Sequence, residues 1–196
     1  MSRLSLVRTA ALILALGLAE KAAGETPAGP TANPPATPLV LRPDDGEHRL
    51  RRPPPASLST LAAPFIMKVD RTNGGANDFV IFTENVPPGQ TIAPHRHPHS
   101  EEALYIHAGE GTAWLNGKQA RVGPGTIIFM PVNTGVRLTN DGKVPISLVA
   151  IFSRPGFDEY QRAISVPAGE TPKPLTVEEL SAIRAQHAGA VVYDMH

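Results

Sequence analysis

Between residues 63 and 153 apolar and polar positions alternate in short runs rich in β-branched side chains, each closed by turn-forming residues. Successive side chains of a strand point to opposite faces, so alternation of this length marks half-buried β-strands. The pattern predicts strands over 65–69, 79–86, 91–97, 103–107, 112–115, 119–122, 126–130, 136–140 and 146–152. Between them fall Asn73-Gly74-Gly75, Pro87-Pro88-Gly89, Asn116-Gly117, Gly123-Pro124-Gly125 and Asn140-Asp141-Gly142. Asn-Gly between two such runs is a two-residue hairpin signal. Many short strands at regular spacing predict an all-β sandwich or barrel.

After Phe152 the pattern turns helical. A short helix is expected over 156–163, and Thr176 followed by Glu179 fits a capping box that opens a second helix ending near His187 and Gly189. The expected organisation is one barrel over 63–153, with a helical extension over 154–196 packed on its outside. Trp114 and Phe129 are expected in the core. No internal repeat suggests a second barrel.

The first residues differ in kind. Arg3 and Arg8 precede an apolar stretch over 10–19, followed by Ala22, Ala23 and Gly24. A positive end, a short apolar run and small residues predict a signal peptide over 1–24, hence an exported protein, periplasmic or secreted. The run is about half the ~20 residues a membrane-spanning helix needs. Residues 25–62 are rich in Pro, Ala and Thr and are expected to form an extended leader, with an edge strand conceivable at 39–41.

Composition narrows the chemistry. The 196 residues carry 18 basic and 18 acidic side chains with no long single-sign run, which argues against a nucleic-acid partner. Arg49, Arg51 and Arg52 lie among prolines and read as a solvated patch. No cysteine is present, so thiolate metal sites and cysteine nucleophiles are excluded, and any metal must be held by nitrogen and oxygen.

Such ligands are concentrated in one place. Residues 93–102 read A-P-H-R-H-P-H-S-E-E. Side chains two apart on a strand share a face with Cα atoms ~6–7 Å apart, so His95 and His97 project together. Two imidazoles at that spacing can converge on one ion at the ~2.0–2.1 Å of a metal–nitrogen bond. A carboxylate completes a two-histidine, one-carboxylate triad with open positions. Glu102 is preferred to Glu101, because its parity brings Leu104 and Ile106 inward and leaves Tyr105 and His107 outside. His99 is a candidate extra ligand, although Pro98 should end the strand before it. His48, His187 and His196 lie outside the pattern.

The spacing resembles the cupin family. Gly89, His95, His97, Glu102 and Gly109 fall at the positions of its first motif; Gly125, Pro131 and Asn140 fall at positions of its second. Asn133 replaces the second motif's next glycine, and Val136 replaces its histidine, the usual fourth metal ligand. The resemblance, over about 64–152, implies a jelly-roll antiparallel β-barrel and one divalent metal ion (Fe, Mn, Ni or Zn) on His95, His97 and Glu102. It implies a metal-dependent dioxygenase acting on a small-molecule substrate, with Glu102 also available as catalytic base. A non-catalytic ligand-binding protein is the alternative that Val136 leaves open. Family habit adds a homodimer.

Overall fold

The computed structural model describes residues 36–55 and 63–193. The expected signal segment lies outside these residues, as do parts of the leader and His196. The strands are β1 (Glu47–Arg51), β2 (Phe65–Val69), β3 (Val80–Val86), β4 (Thr91–His95), β5 (Glu102–Ala108), β6 (Gly111–Leu115), β7 (Lys118–Val122), β8 (Ile127–Met130), β9 (Val136–Thr139), β10 (Ile146–Phe152) and β11 (Ser165–Pro167). Two helices, α1 (Phe157–Ala163) and α2 (Val177–Gln186), flank β11.

Among the described residues the strands form two antiparallel sheets. One has the order β11-β1-β2-β3-β10-β5-β8, the other β4-β9-β6-β7. They do not close into a continuously hydrogen-bonded barrel; the arrangement is a jelly roll, in which the chain from β3 to β10 changes sheet at every step but β6 to β7. Alternation dictates the core. Along β10, Ile146, Leu148, Ala150 and Phe152 are buried while the residues between them are only partly so. Phe82 and Phe152 stack at 5.3 Å, and Phe157 of α1 closes on Phe152 at 4.8 Å. Each such side chain contributes about 1.5–3 kcal/mol on burial.

The motif residues have structural reasons. A Cβ on Gly109, whose φ is +77°, would lie 2.3 Å from the Pro145 carbonyl oxygen, so no other residue fits. Asn133, standing where the family has glycine, also adopts positive φ, 62°, a conformation asparagine tolerates better than other side chains. Asn140 is fully buried, and its amide donates to the carbonyls of Val86 (2.7 Å) and Val144 (2.8 Å), locking two turns together.

The leader is where expectation and structure part. Residues 39–41 form no strand; instead β1 pairs with β2 on one side and β11 on the other. Arg49 and Arg51 are buried rather than solvated, because β1 turns these two side chains toward the protein. Arg49 donates to Glu47 (2.5 Å) and to the Ser165 hydroxyl (2.6 Å). Arg162 of α1 joins Glu47 (2.7 Å) and contacts the fully buried Asp70. An ion network, and not an apolar stripe, thus fastens this strand.

Two more expectations are corrected. Phe129 is 56% exposed, because β8 buries Ile128 and Met130 and turns the residue between them outward. Trp114 is only partly buried, since Ala113 holds the inward position of β6. The capping box of α2 is present, with Thr176 Oγ1 accepting from the Glu179 amide at 3.1 Å.

Candidate metal centre

His95 ends β4 in one sheet, and Glu102 begins β5 in the other. The expected strand stops two residues early, so His97 lies in the connection between them. That connection is held from three directions. Arg96 and Val192 exchange backbone hydrogen bonds of 3.0 Å, the Asn133 amide donates to the His97 carbonyl at 2.8 Å, and the His97 Nδ1–H donates to the Ala190 carbonyl at 2.7 Å. Through these contacts a segment near the C-terminus fixes the second histidine.

His95, His97 and Glu102 are all buried, and one ligand atom from each lies within 4.8 Å of the others. The His95 Nδ1–H donates to the Ala93 carbonyl at 2.8 Å. With both Nδ1 atoms committed to backbone oxygens, both Nε2 atoms carry free lone pairs, as metal-ligating imidazoles do. His97 Nε2 and Glu102 Oε2 face one another at 3.4 Å, and both are buried without a hydrogen-bond partner. Buried polar atoms are nearly always satisfied, so two orphans converging on one point fit a cation better than a packing role.

The contact between them is not an ion pair. Burial, with His95 alongside, pushes His97 down to about 3. Burial, with Glu84 nearby, pushes Glu102 up to about 8. Burial also lowers His95. Near neutral pH the metal-free cluster is two neutral imidazoles and a protonated carboxyl group. Coordination of a cation requires loss of that one proton.

Val136 is buried, pairs in register with His95 and faces the pocket, so the position of the family's fourth ligand is apolar. His99 is exposed and outside the cluster, and His107 is exposed on the outer face of β5. The pocket beside His95 and Glu102 is a cavity of about 80 Å³. Phe82, Leu104 and Leu138 of the sheets line it, together with Phe157, Tyr160, Leu175, Leu180 and Tyr193 from the C-terminal segment. Tyr193 stacks on His95 at 5.6 Å. The extension therefore covers the pocket rather than merely resting on the outside.

Sequence reasoning missed one polar element here. Arg51 enters the pocket from β1 and pairs with Glu84 of β3 at 2.7 Å, both side chains only 7% exposed. Its remaining donors go to the Ala63 carbonyl (3.0 Å) and Gln161 Oε1 (3.2 Å). The signal was the alternation Glu47, Arg49, Arg51, a period of two written in charged residues instead of apolar ones.

Residues 82–152 match the cupin domain family. Quercetin 2,3-dioxygenase of Bacillus subtilis is 30% identical over 56 residues, covering 29% of this chain and 17% of that protein. An uncharacterized protein of Methanocaldococcus jannaschii is 34% identical over 64 residues, covering 33% of this chain and 51% of its own. The matches thus span about a sixth and about half of the curated relatives' own lengths. Among solved structures, a predicted oxalate decarboxylase of Thermotoga maritima aligns over 47% of this chain and 81% of its own at 20% identity and a TM-score of 0.45. A double-stranded β-helix protein of Klebsiella pneumoniae aligns over 66% and 91%, at 22% identity and a TM-score of 0.42. The matching segment carries Gly89, His95, His97, Glu102, Gly109, Gly125, Pro131 and Asn140 at motif positions and departs from them at Asn133 and Val136, so residues 82–152 are similar to the cupin domain family.

Proposed function

We propose that the protein is an exported, metal-dependent oxygenase of a small organic substrate, with one divalent ion of iron, manganese, nickel or zinc held by His95, His97 and Glu102. One observation carries this reading: His97 Nε2 and Glu102 Oε2 are buried, unpartnered and 3.4 Å apart beside a largely apolar pocket. The stretch similar to quercetin 2,3-dioxygenase supports oxygenase chemistry.

When bound, the ion would supply Lewis acidity and a template for a chelating hydroxy-carbonyl or enolate substrate. The chain's own residues do the rest. Backbone carbonyls of Ala93 and Ala190 hold the imidazoles in one tautomer. Glu102, once ionised and swung away from the ion, can take the hydroxyl proton of a substrate. The aromatic and aliphatic walls keep water from the reacting centre. A second reading, a non-catalytic small-ligand-binding cupin with a degenerate site, is favoured by the single observation that Val136 cannot coordinate.

Elemental analysis of protein purified from its native compartment tests the two. The oxygenase reading expects close to one metal ion per chain, lost in His95→Ala, and oxygen consumption with a member of a catechol, flavonol and diketone panel. Metal-free protein whose fold is unaffected by His95→Ala would favour the binding module. Val136→His should tighten metal binding by roughly tenfold or more, since its side chain enters the pocket beside His95 and adds a fourth ligand. Unchanged affinity in a competition titration would show that position 136 does not reach the ion.

A further inference from the structure

Three guanidinium groups line the pocket that contains His95 and Glu102: those of Arg51, Arg52 and Arg184. Two are neutralised, Arg51 by Glu84 at 2.7 Å and Arg52 by Glu179 at 3.3 Å. Arg184 differs. Among the described residues it forms no ion pair, and its Nε–H is buried with no acceptor. Its guanidinium carbon lies 4.3 Å from the centre of the Tyr193 ring, and that ring stacks on His95. A single aromatic ring therefore separates this cation from the candidate metal centre.

A guanidinium has only donors and cannot shed its charge. A buried donor without an acceptor is rare in folded proteins and calls for a missing partner. Arg184 is only partly buried but pairs with no carboxylate of the described chain, so a partner that also brings negative charge suits it best. The group that best meets both needs is a carboxylate, which can accept two parallel N–H bonds from the guanidinium fork. Much of the remaining wall is apolar, with Phe82, Leu104, Val136, Leu138 and Phe157 among it, and the polar part is mostly self-satisfied, as in the Arg51–Glu84 pair. Such walls disfavour a multiply charged phosphate and suit a flat hydrocarbon body.

We propose that the pocket receives a small organic acid, its carboxylate held by Arg184 and its planar apolar body lying between the walls toward His95 and Glu102. This names the substrate class of the centre proposed above and rests on that reading for its catalytic meaning. Arg184 belongs to α2, outside the segment that matches the family, so the recognition element is a property of this chain's own extension.

Calorimetric titration tests it, using benzoate, phenylacetate and cinnamate, each against its neutral amide, with metal content measured on the same preparations. At least one acid should bind roughly tenfold or more tightly than its amide. Arg184→Gln should abolish that preference while amide binding, metal content and melting temperature stay unchanged, and Arg184→Lys should retain part of it. Absence of any acid preference in the panel, or a preference undiminished in Arg184→Gln, overturns the proposal. If the protein holds no metal yet prefers acids through Arg184, the oxygenase reading fails and the recognition of acids stands.

Discussion

Glu102→Gln is expected to abolish metal binding at the candidate centre while making the metal-free chain more stable above neutral pH. The two effects have opposite signs because the carboxyl group is placed for coordination and against solvation. Glutamine keeps the shape but removes the anionic ligand, so metal affinity should fall by at least ~100-fold, beyond the effect of losing an outer-shell contact. In the metal-free chain, burial holds the folded-state value near 8, above the ordinary 4.5. Between those two values the unfolded chain ionises while the folded one keeps its proton, so stability falls as pH rises through the window. The glutamine variant lacks that dependence and should exceed the metal-free parent by about 2–4 kcal/mol at pH 8, and by little at pH 4. The same linkage requires metal uptake at pH 6–7 to release close to one proton per chain. Urea titrations at both pH values, with chelator present, provide the measurement. A variant less stable than its parent at pH 8 would mean that Glu102 serves packing and not coordination.

The second large effect concerns Arg51. Its guanidinium satisfies Glu84, the Ala63 carbonyl and Gln161, with the Arg51 and Glu84 side chains each only 7% exposed. Arg51→Met leaves Glu84 ionisable, buried and alone, and should destabilise the fold by about 3–5 kcal/mol. The double change Arg51→Met with Glu84→Leu removes both charges and should recover most of that loss, because exchanging a buried pair for apolar groups is often neutral. Denaturant midpoints of the parent, the two single variants and the double variant complete the cycle. A single Arg51→Met cost below about 1 kcal/mol would show that water reaches Glu84.

The two expectations differ in how far the sequence announced them. The inward turn of Glu102 was legible because strand parity is a local rule: whichever face Leu104 and Ile106 take, Glu102 takes with them, whereas His97 lies beyond the end of β4, where parity does not apply. The strands of the jelly roll were legible for the same reason, with ends displaced by one or two residues, as in β4, where a register shift between Ile92 and His95 disturbs the pairing. What stayed hidden was long-range. Residues 47–51 carry one leucine, so no apolar rhythm marks them, and their place is set by Arg162, Asp70 and Glu84, which lie far away in sequence. The hold of the Ala190 carbonyl on His97 spans 93 residues and involves only a backbone atom, which no side-chain pattern encodes. Phe129 is exposed despite its aromatic ring because strand parity along β8 buries Ile128 and Met130 instead.

The path of the chain around the pocket has a practical consequence. The candidate ligands come from residues 95–102, whereas Tyr160, Leu175, Leu180, Arg184 and Tyr193 come from beyond the family segment. Candidate ligands and much of the pocket wall are thus written in separate stretches of sequence. Under the proposed function, substrate preference could be re-engineered by editing the tail alone. A fragment trimmed to the family boundaries would keep the ligand residues yet present them bare to solvent, with one imidazole unclamped.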